Sequence, residues 1–387
     1  MKWLLWGIGA AVLAALGYAQ WFLPGRIESS MNVTLAHDAY AVSDRAARLH
    51  DSLFIADLHS DSLLWKRNLL EESSVGHMDL PRLRDGNVAL QVFSATTKSP
   101  AEQNYESNEA DSDDITLLAI ASFWPVRTWG SLYERAVYQL EKLHDVARQS
   151  ELIVIKSRED LRNFVTQRER DEPIMAGLYL IEGAHPLEGD VGNLDRLFDQ
   201  GLRVVGLTHF FDNELGGSLH GISGEGLTEF GESVVRRANE LGLIIDVAHA
   251  SPAMVEDVLA LSKSPVILSH GGVKGACDSA RNLADNLMQQ IADKGGLVGI
   301  GYWDAAVCDI TPEGVVKAIR YAIDLMGVRH VALGSDFDGA TTVSFDTSEL
   351  AALTEEMLQS GFTEDEIRMV MGENVKRFLL ENLPDET

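Results

Sequence analysis

Eight apolar runs rich in β-branched residues recur along the chain, and most end on a polar residue. They are "LFIADLHSD" (53–61), "VALQVFSAT" (88–96), "IMAGLYLIEG" (174–183), "LRVVGLTHF" (202–210), "GLIIDVAH" (242–249), "PVILSH" (265–270), "GLVGIGYW" (296–303) and "HVALGSDFDG" (330–339). Unbroken apolar runs of this length predict strands buried on both faces, as in a parallel sheet. Helix-like stretches separate them. Eight strands in roughly 290 residues, alternating with helices, predict an α/β fold of the (β/α)8 barrel kind. A doubly wound sheet is disfavoured, because no G-x-G-x-x-G turn follows the first strand. The stretch 97–140 begins polar, "KSPAEQNYESNEADSDD", and predicts a loop over the barrel mouth followed by a helix with Trp124 and Trp129.

Upstream the pattern differs. Trp3–Leu23 carries no charge and is preceded by Lys2. A run of that length crosses a bilayer. The alternative is a signal peptide, since Gly17-Tyr18-Ala19 before Gln20 resembles a cleavage site. The apolar run continues past that site, which favours an uncleaved anchor. Either reading places the rest of the chain outside the cytoplasm: held on a membrane, or secreted or periplasmic after cleavage. The chain divides into an anchor or signal segment (1–25), a linker and pre-barrel helix (26–52) and a barrel domain (53–387). Within the second part, 24–36 reads as linker and 37–50 as helix.

The 387 residues are 45% hydrophobic and 24% charged, a globular composition. The net charge of −27 argues against nucleic-acid binding, which needs Lys and Arg against phosphate. Cys277 and Cys308 are either a disulfide or two buried thiols.

Six of the eight runs end in His, Asp or Glu. The first supplies His59 and Asp61, which side-chain alternation along a strand puts on one face. The third supplies Glu182, the fourth His209, the fifth His249, the sixth His270, and the eighth Asp336 and Asp338. In a barrel these ends meet at one mouth, where active sites of this fold lie. Unrelated structural histidines have no reason to share one end of successive strands. The inventory suits two divalent ions with nitrogen and oxygen ligands, zinc first, with manganese or cobalt filling similar sites.

Nine motifs, "DLHSD", "GHMDLPRLRDG", "IEGAH", "GLTHF", "GLTEFG", "DVAHAS", "SHGG", "SARN" and "GSDFDG", stand in the order found in membrane dipeptidases, the renal-dipeptidase-like peptidases of the amidohydrolase-type barrels. The resemblance spans about residues 40–380. It implies a zinc-dependent dipeptidase in which a hydroxide held between two Zn2+ ions attacks the peptide bond. His59, Asp61 and Glu182 would hold one ion. Glu182, bridging, would hold the other with His249 and His270. His209 would contact the substrate carbonyl, Arg281 would bind the substrate carboxylate, and Asp336 would be the acid/base. Alternatives are His209 as a ligand or core residue, Arg281 as a surface ion pair, and Asp338 in place of Asp336. The resemblance further implies a Cys277–Cys308 disulfide, a homodimer and tolerance of a D-residue at the C-terminal position. A second reading keeps the barrel and changes the bond, as in an N-acyl amino acid amidohydrolase or a lactonase. His185 is expected beside the ligands rather than among them. Asp57 would orient a histidine or satisfy backbone. His37, His50, His77, His144, His220 and His330 are expected to be surface or structural. Phe210 and Phe211 depart from the family pattern and would reshape the pocket wall or simply pack.

Overall fold

The computed structural model describes residues 22–170 and 173–385, together with residue 17. The eight expected runs form eight parallel strands: β1 (Ile55–Ser60), β2 (Val88–Thr96), β3 (Met175–Glu182), β4 (Leu202–Gly206), β5 (Ile244–Asp246), β6 (Ile267–Leu268), β7 (Leu297–Ile300) and β8 (Val331–Leu333). Each pairs with the next, and β8 returns to β1 through Leu333 opposite Asp57, so the sheet closes. One apolar cluster takes Leu58, Val92, Leu178, Val204, Ile244, Ile267, Leu297 and Ala332, one residue from every strand, which makes it the barrel interior. Val375, Phe378 and Leu379 of the helix Asn374–Asn382 join the same cluster. The outer core packs helices against the strands, as where Leu140 and Leu143 meet Phe93 and Tyr179.

Helix starts follow capping chemistry. Thr228 caps Glu229–Leu241 by accepting from Gly231 N, and the left-handed Gly242 ends that helix. Between β2 and β3 lie a loop, the helices Asp114–Ala121 and Leu132–Arg148, a short strand Leu152–Val154 and a helix Arg158–Arg168. The short strand pairs with the first residues of β3, where β4 has not yet begun. It has too few residues to register as a separate apolar run.

Residues 24–36 are not the expected linker. Residues 22–31 are helical, and Val33–Thr34 pairs in parallel with Thr342–Val343 just beyond β8. Tertiary contacts impose this order. Glu28 is buried and accepts from Arg67 Nε at 2.6 Å, and Arg67 also pairs with Asp338. Asn32 accepts from Ala340 N at 2.8 Å. The segment thus straps the loop that carries Asp336. The expected helix over 37–50 occupies Asp44–Asp51. The membrane or signal segment lies, up to residue 21, outside the described residues except for residue 17. Among the described residues no helix is long and apolar enough to cross a membrane.

Candidate metal centre

The strand ends deliver the side chains to the mouth. His59 lies within β1 and Glu182 ends β3. His209, His249, His270 and Asp336 follow β4, β5, β6 and β8 by two or three residues. His249 and Asp336 hold φ of +62° and +57°, a left-handed backbone uncommon outside glycine that is a recurrent feature of functional sites. Directly behind Asp336 a β-carbon on Gly339 would collide with its carboxylate.

Glu182 is the hub. Its Oε1 lies 3.5 Å from His59 Nε2, 3.2 Å from His249 Nε2 and 3.4 Å from His270 Nε2. Its Oε2 lies 3.5 Å from His209 Nε2. His59 Nε2 is also 3.6 Å from Asp61 and 3.9 Å from Asp336. Thr96 Oγ1 stands 3.0 Å from both Asp61 Oδ1 and Glu182 Oε2. Asp246 is the anchor beneath. It accepts from Ser269 Oγ at 2.5 Å and from the backbone N–H groups of Ala248 and Ser269. Ser269 Oγ in turn meets His270 Nδ1 at 2.9 Å and His59 Nδ1 at 3.2 Å. Asp57 accepts from His59 N and from Ser335 N, so it fixes backbone between β1 and β8 and not an imidazole.

These residues fit a metal. His59 Nε2 is buried without a hydrogen-bond partner among the described residues and faces three carboxylates. Two ligands of one tetrahedral ion with bonds of about 2.0–2.1 Å stand about 3.3 Å apart, close to the spacings around Glu182 Oε1. Three overlapping donor groups arise: His59, Asp61 and Glu182; Glu182, His209 and His249; His59, His270 and Asp336. Burial, with Arg281 contributing, holds His249 and His270 well below the ordinary histidine range, in the neutral form that ligates. Burial also opposes charge on His59, but Glu182, Asp61 and Asp336 outweigh it and raise its pKa to about 10. A cation in the site would take over that compensating role. Burial, with Asp61 and Glu182 beside it, holds Asp336 well above the usual carboxylate range against the pull of His59.

Arg281, 1% exposed, donates from Nη2 to His270 O at 2.9 Å, and its Nε has no partner among the described residues. It is not a surface ion pair. Asp338 is drawn away from the cluster by Arg67, Ser62 and the backbone N–H of His77. His77 is therefore structural, as is buried His50, which meets Thr354 Oγ1 at 2.9 Å. His185 stacks on Phe211, with ring centroids 4.6 Å apart, and lies off the cluster. Phe210 is a pocket wall, its centroid 4.8 Å from that of His209 and 5.0 Å from that of His249. Cys277 and Cys308 form a disulfide joining the loops after β6 and β7.

Two residues at the site escape a reading by strand ends. His220, expected to be structural or on the surface, is fully buried on Phe210, 5.4 Å by centroid from His249. Its Nδ1 meets Tyr105 O at 2.8 Å, and its Nε2 has no partner among the described residues. Tyr105 comes from the polar loop after β2, which folds back over the mouth as expected. The available signal was the glycine-flanked "GGSLHG", whose loop returns beside β5 through a Ser218–Ala250 bridge.

Comparison with known proteins agrees with this geometry. Residues 43–383 match the family described as membrane dipeptidase (peptidase family M19). A dipeptidase of Aspergillus oryzae, aclJ, is 28% identical over 353 residues, covering 84% of this chain and 77% of that protein. The crystal structure of the dipeptidase AC superposes with a TM-score of 0.70 at 26% identity, covering 86% of this chain and 99% of that one. A Rhodobacter sphaeroides metallopeptidase, liganded with a phosphinate mimic of the dipeptide L-Ala-D-Ala, shares the fold at a TM-score of 0.68 and 24% identity, over 86% of this chain and 99% of that one. The closed barrel, the buried His/Glu/Asp cluster at its mouth and the match over nearly all of the barrel agree, and the chain belongs to the membrane dipeptidase family, peptidase family M19, as a metal-dependent dipeptidase.

Proposed function

We propose that the chain is a two-zinc dipeptidase that accepts either an L- or a D-residue at the C-terminal position of its substrate and is held on the outer side of a membrane by its first residues. The sharing of Glu182 carries the two-ion reading. One carboxylate oxygen, Glu182 Oε1, lies within 3.2–3.5 Å of His59, His249 and His270 alike, so this side chain is in ligand spacing of both donor sets. His59, Asp61 and Glu182 would hold one ion, and Glu182, His249 and His270 the second. Zinc, when bound, supplies a Lewis acid and lowers the pKa of water to about 7.

The chain's own groups do the rest. Arg281 binds the substrate carboxylate with its unpartnered Nε and one Nη. That clamp close to the metal cluster restricts the enzyme to short peptides. His209 is the most open of the four histidines, its side chain 7% exposed against 0–3% for the others, and it faces the scissile carbonyl. Asp336 moves the proton from the attacking water to the leaving amine. Tolerance of a D-residue is supported by the Rhodobacter relative, whose ligand mimics L-Ala-D-Ala. The uncharged run Trp3–Leu23 supports the anchor.

The test is kcat/KM on L-Ala-L-Ala, L-Ala-D-Ala, tri-L-alanine and N-acetyl-L-alanine. The proposal requires both dipeptides to be cleaved within about tenfold of each other and the tripeptide at least about a hundredfold more slowly. Cleavage of N-acetyl-L-alanine alone would replace it with an acyl amino acid amidohydrolase.

A further inference from the structure

Beyond Asp114 and Thr116 of its first turn, the helix Asp114–Ala121, DITLLAIA, is apolar all round. A helix of that composition belongs inside a protein or a bilayer. Here one side is covered. Ile115, Leu118 and Ala119 pack with Leu64, Trp65 and Trp124. On the other side Leu117 is 68% and Ile120 37% exposed. Phe123 (56%), Val126 (72%) and Trp129 (39%) continue at every third position. Five large apolar side chains exposed in one short segment exceed the scattered exposure that is normal on a soluble surface. Phe123 takes a φ of +60°, a costly backbone for an aromatic residue, with its ring in solvent and Lys66 Nζ 5.1 Å from the ring centroid. An aromatic and aliphatic face with a lysine at its edge has the composition of a membrane-interface surface.

The chain itself indicates what covers this face. The uncharged run Trp3–Leu23 leads into the helix 22–31, whose Ile27 packs on the cluster of Leu64, Trp65, Ile115, Leu118 and Trp124. Leu23, one turn earlier on the same side as Ile27, is 46% exposed. The described end of the apolar run therefore lies beside the cluster that backs the exposed face. A net charge of −27 gives no general attraction to anionic headgroups, so a contact here must be apolar. We propose that residues 114–129 are a bilayer-contacting surface, with Leu117, Ile120, Phe123, Val126 and Trp129 seated in the interfacial zone of the membrane crossed by Trp3–Leu23. This rests on the anchored reading above and adds to it a fixed orientation of the barrel. The loop bearing Tyr105 immediately precedes this segment, so the mouth of the barrel opens beside the membrane.

The experiment uses the full chain carrying Val126→Cys, whose thiol is the only free one because Cys277 and Cys308 are bonded to each other. It is labelled with an environment-sensitive dye and reconstituted in phosphatidylcholine vesicles with or without brominated acyl chains. Lys263→Cys, before β6 at the opposite end of the barrel, is the reference. Unchanged dipeptidase activity shows that each labelled chain is folded. The expected result is a blue-shifted emission at 126, quenched at least about twofold by bromine, and neither effect at 263. An intact chain with unquenched, water-like emission at 126 overturns the surface and leaves the anchor standing. A blue shift without bromine quenching that grows with protein density assigns the face to a second copy and overturns the proposal. A mature chain whose mass lacks the residues before Gln20 overturns anchor and surface together.

Discussion

Replacing Arg281 by methionine separates recognition of the substrate carboxylate from the metal centre. Among the described residues no carboxylate lies within ion-pair range of this buried guanidinium, which donates to His270 O and leaves Nε unused. A dipeptide carboxylate would gain two charge-assisted hydrogen bonds, each contributing about 1.5–3 kcal/mol. Losing the pair therefore costs about 3–6 kcal/mol, and at about 1.4 kcal/mol per decade kcat/KM falls roughly 10²- to 10⁴-fold. Methionine fills similar space and removes a buried charge that has no fixed counter-ion, so unfolding free energy changes by less than about 1 kcal/mol. The assay compares a dipeptide with its C-terminal amide, with bound metal measured in parallel. Wild type discriminates strongly against the amide. The variant treats acid and amide alike, and on the amide it lies within about threefold of wild type. An equal loss on acid and amide would rule out the carboxylate clamp and place the action of Arg281 on the metal cluster or the reacting bond.

Asp336→Asn should lower kcat by about 10²- to 10⁴-fold with KM and bound metal little changed, read by steady-state kinetics and metal analysis. Glu182→Gln removes the shared ligand charge, so bound zinc should fall to about one per chain or less and activity by more than about 10³-fold. Removing the Cys277–Cys308 link frees a loop with a sequence separation of 31 and should cost about 3–4 kcal/mol in denaturant unfolding under non-reducing conditions. Burial, with Asp338 adding to it against Arg67, raises Glu28 to about 7. The native state then holds a proton that the unfolded chain releases near pH 4.5, so this group's contribution to stability falls by about 3 kcal/mol between pH 4.5 and 7. Lys142, lowered to about 7 by burial, acts with the opposite sign, adding stability as pH rises from 7 toward 10.5. Glu28→Gln should flatten the acid limb of the stability profile alone.

The barrel was legible because strands buried on both faces must be apolar throughout, and all eight expected runs carry a strand. The cluster was legible because His59, Glu182, His209, His249 and His270 each sit at a strand end, where the fold itself supplies convergence. Asp336 and Asp338 were two residues apart and equally placed by pattern. The GSDFDG motif favours Asp336, and the Arg67 and His77 contacts, made by segments far away in sequence, draw Asp338 off the cluster. His220 and Tyr105 reach the site through loops whose paths are set by tertiary packing, and no local periodicity marks them. The helix 22–31 looked like a linker for the same reason, since its order comes from Arg67 and from the edge beyond β8 rather than from its own propensity.

A cluster that holds two ions through Glu182 can be read out by metal reconstitution. The full chain, stripped by chelator, is titrated with zinc while bound metal and L-Ala-D-Ala hydrolysis are read together. Hydrolysis should return in full at two zinc ions per chain, and Glu182→Gln should never reach that stoichiometry. Full hydrolysis at one ion per chain, or two ions still bound after Glu182→Gln, would rule out a two-ion centre shared through Glu182.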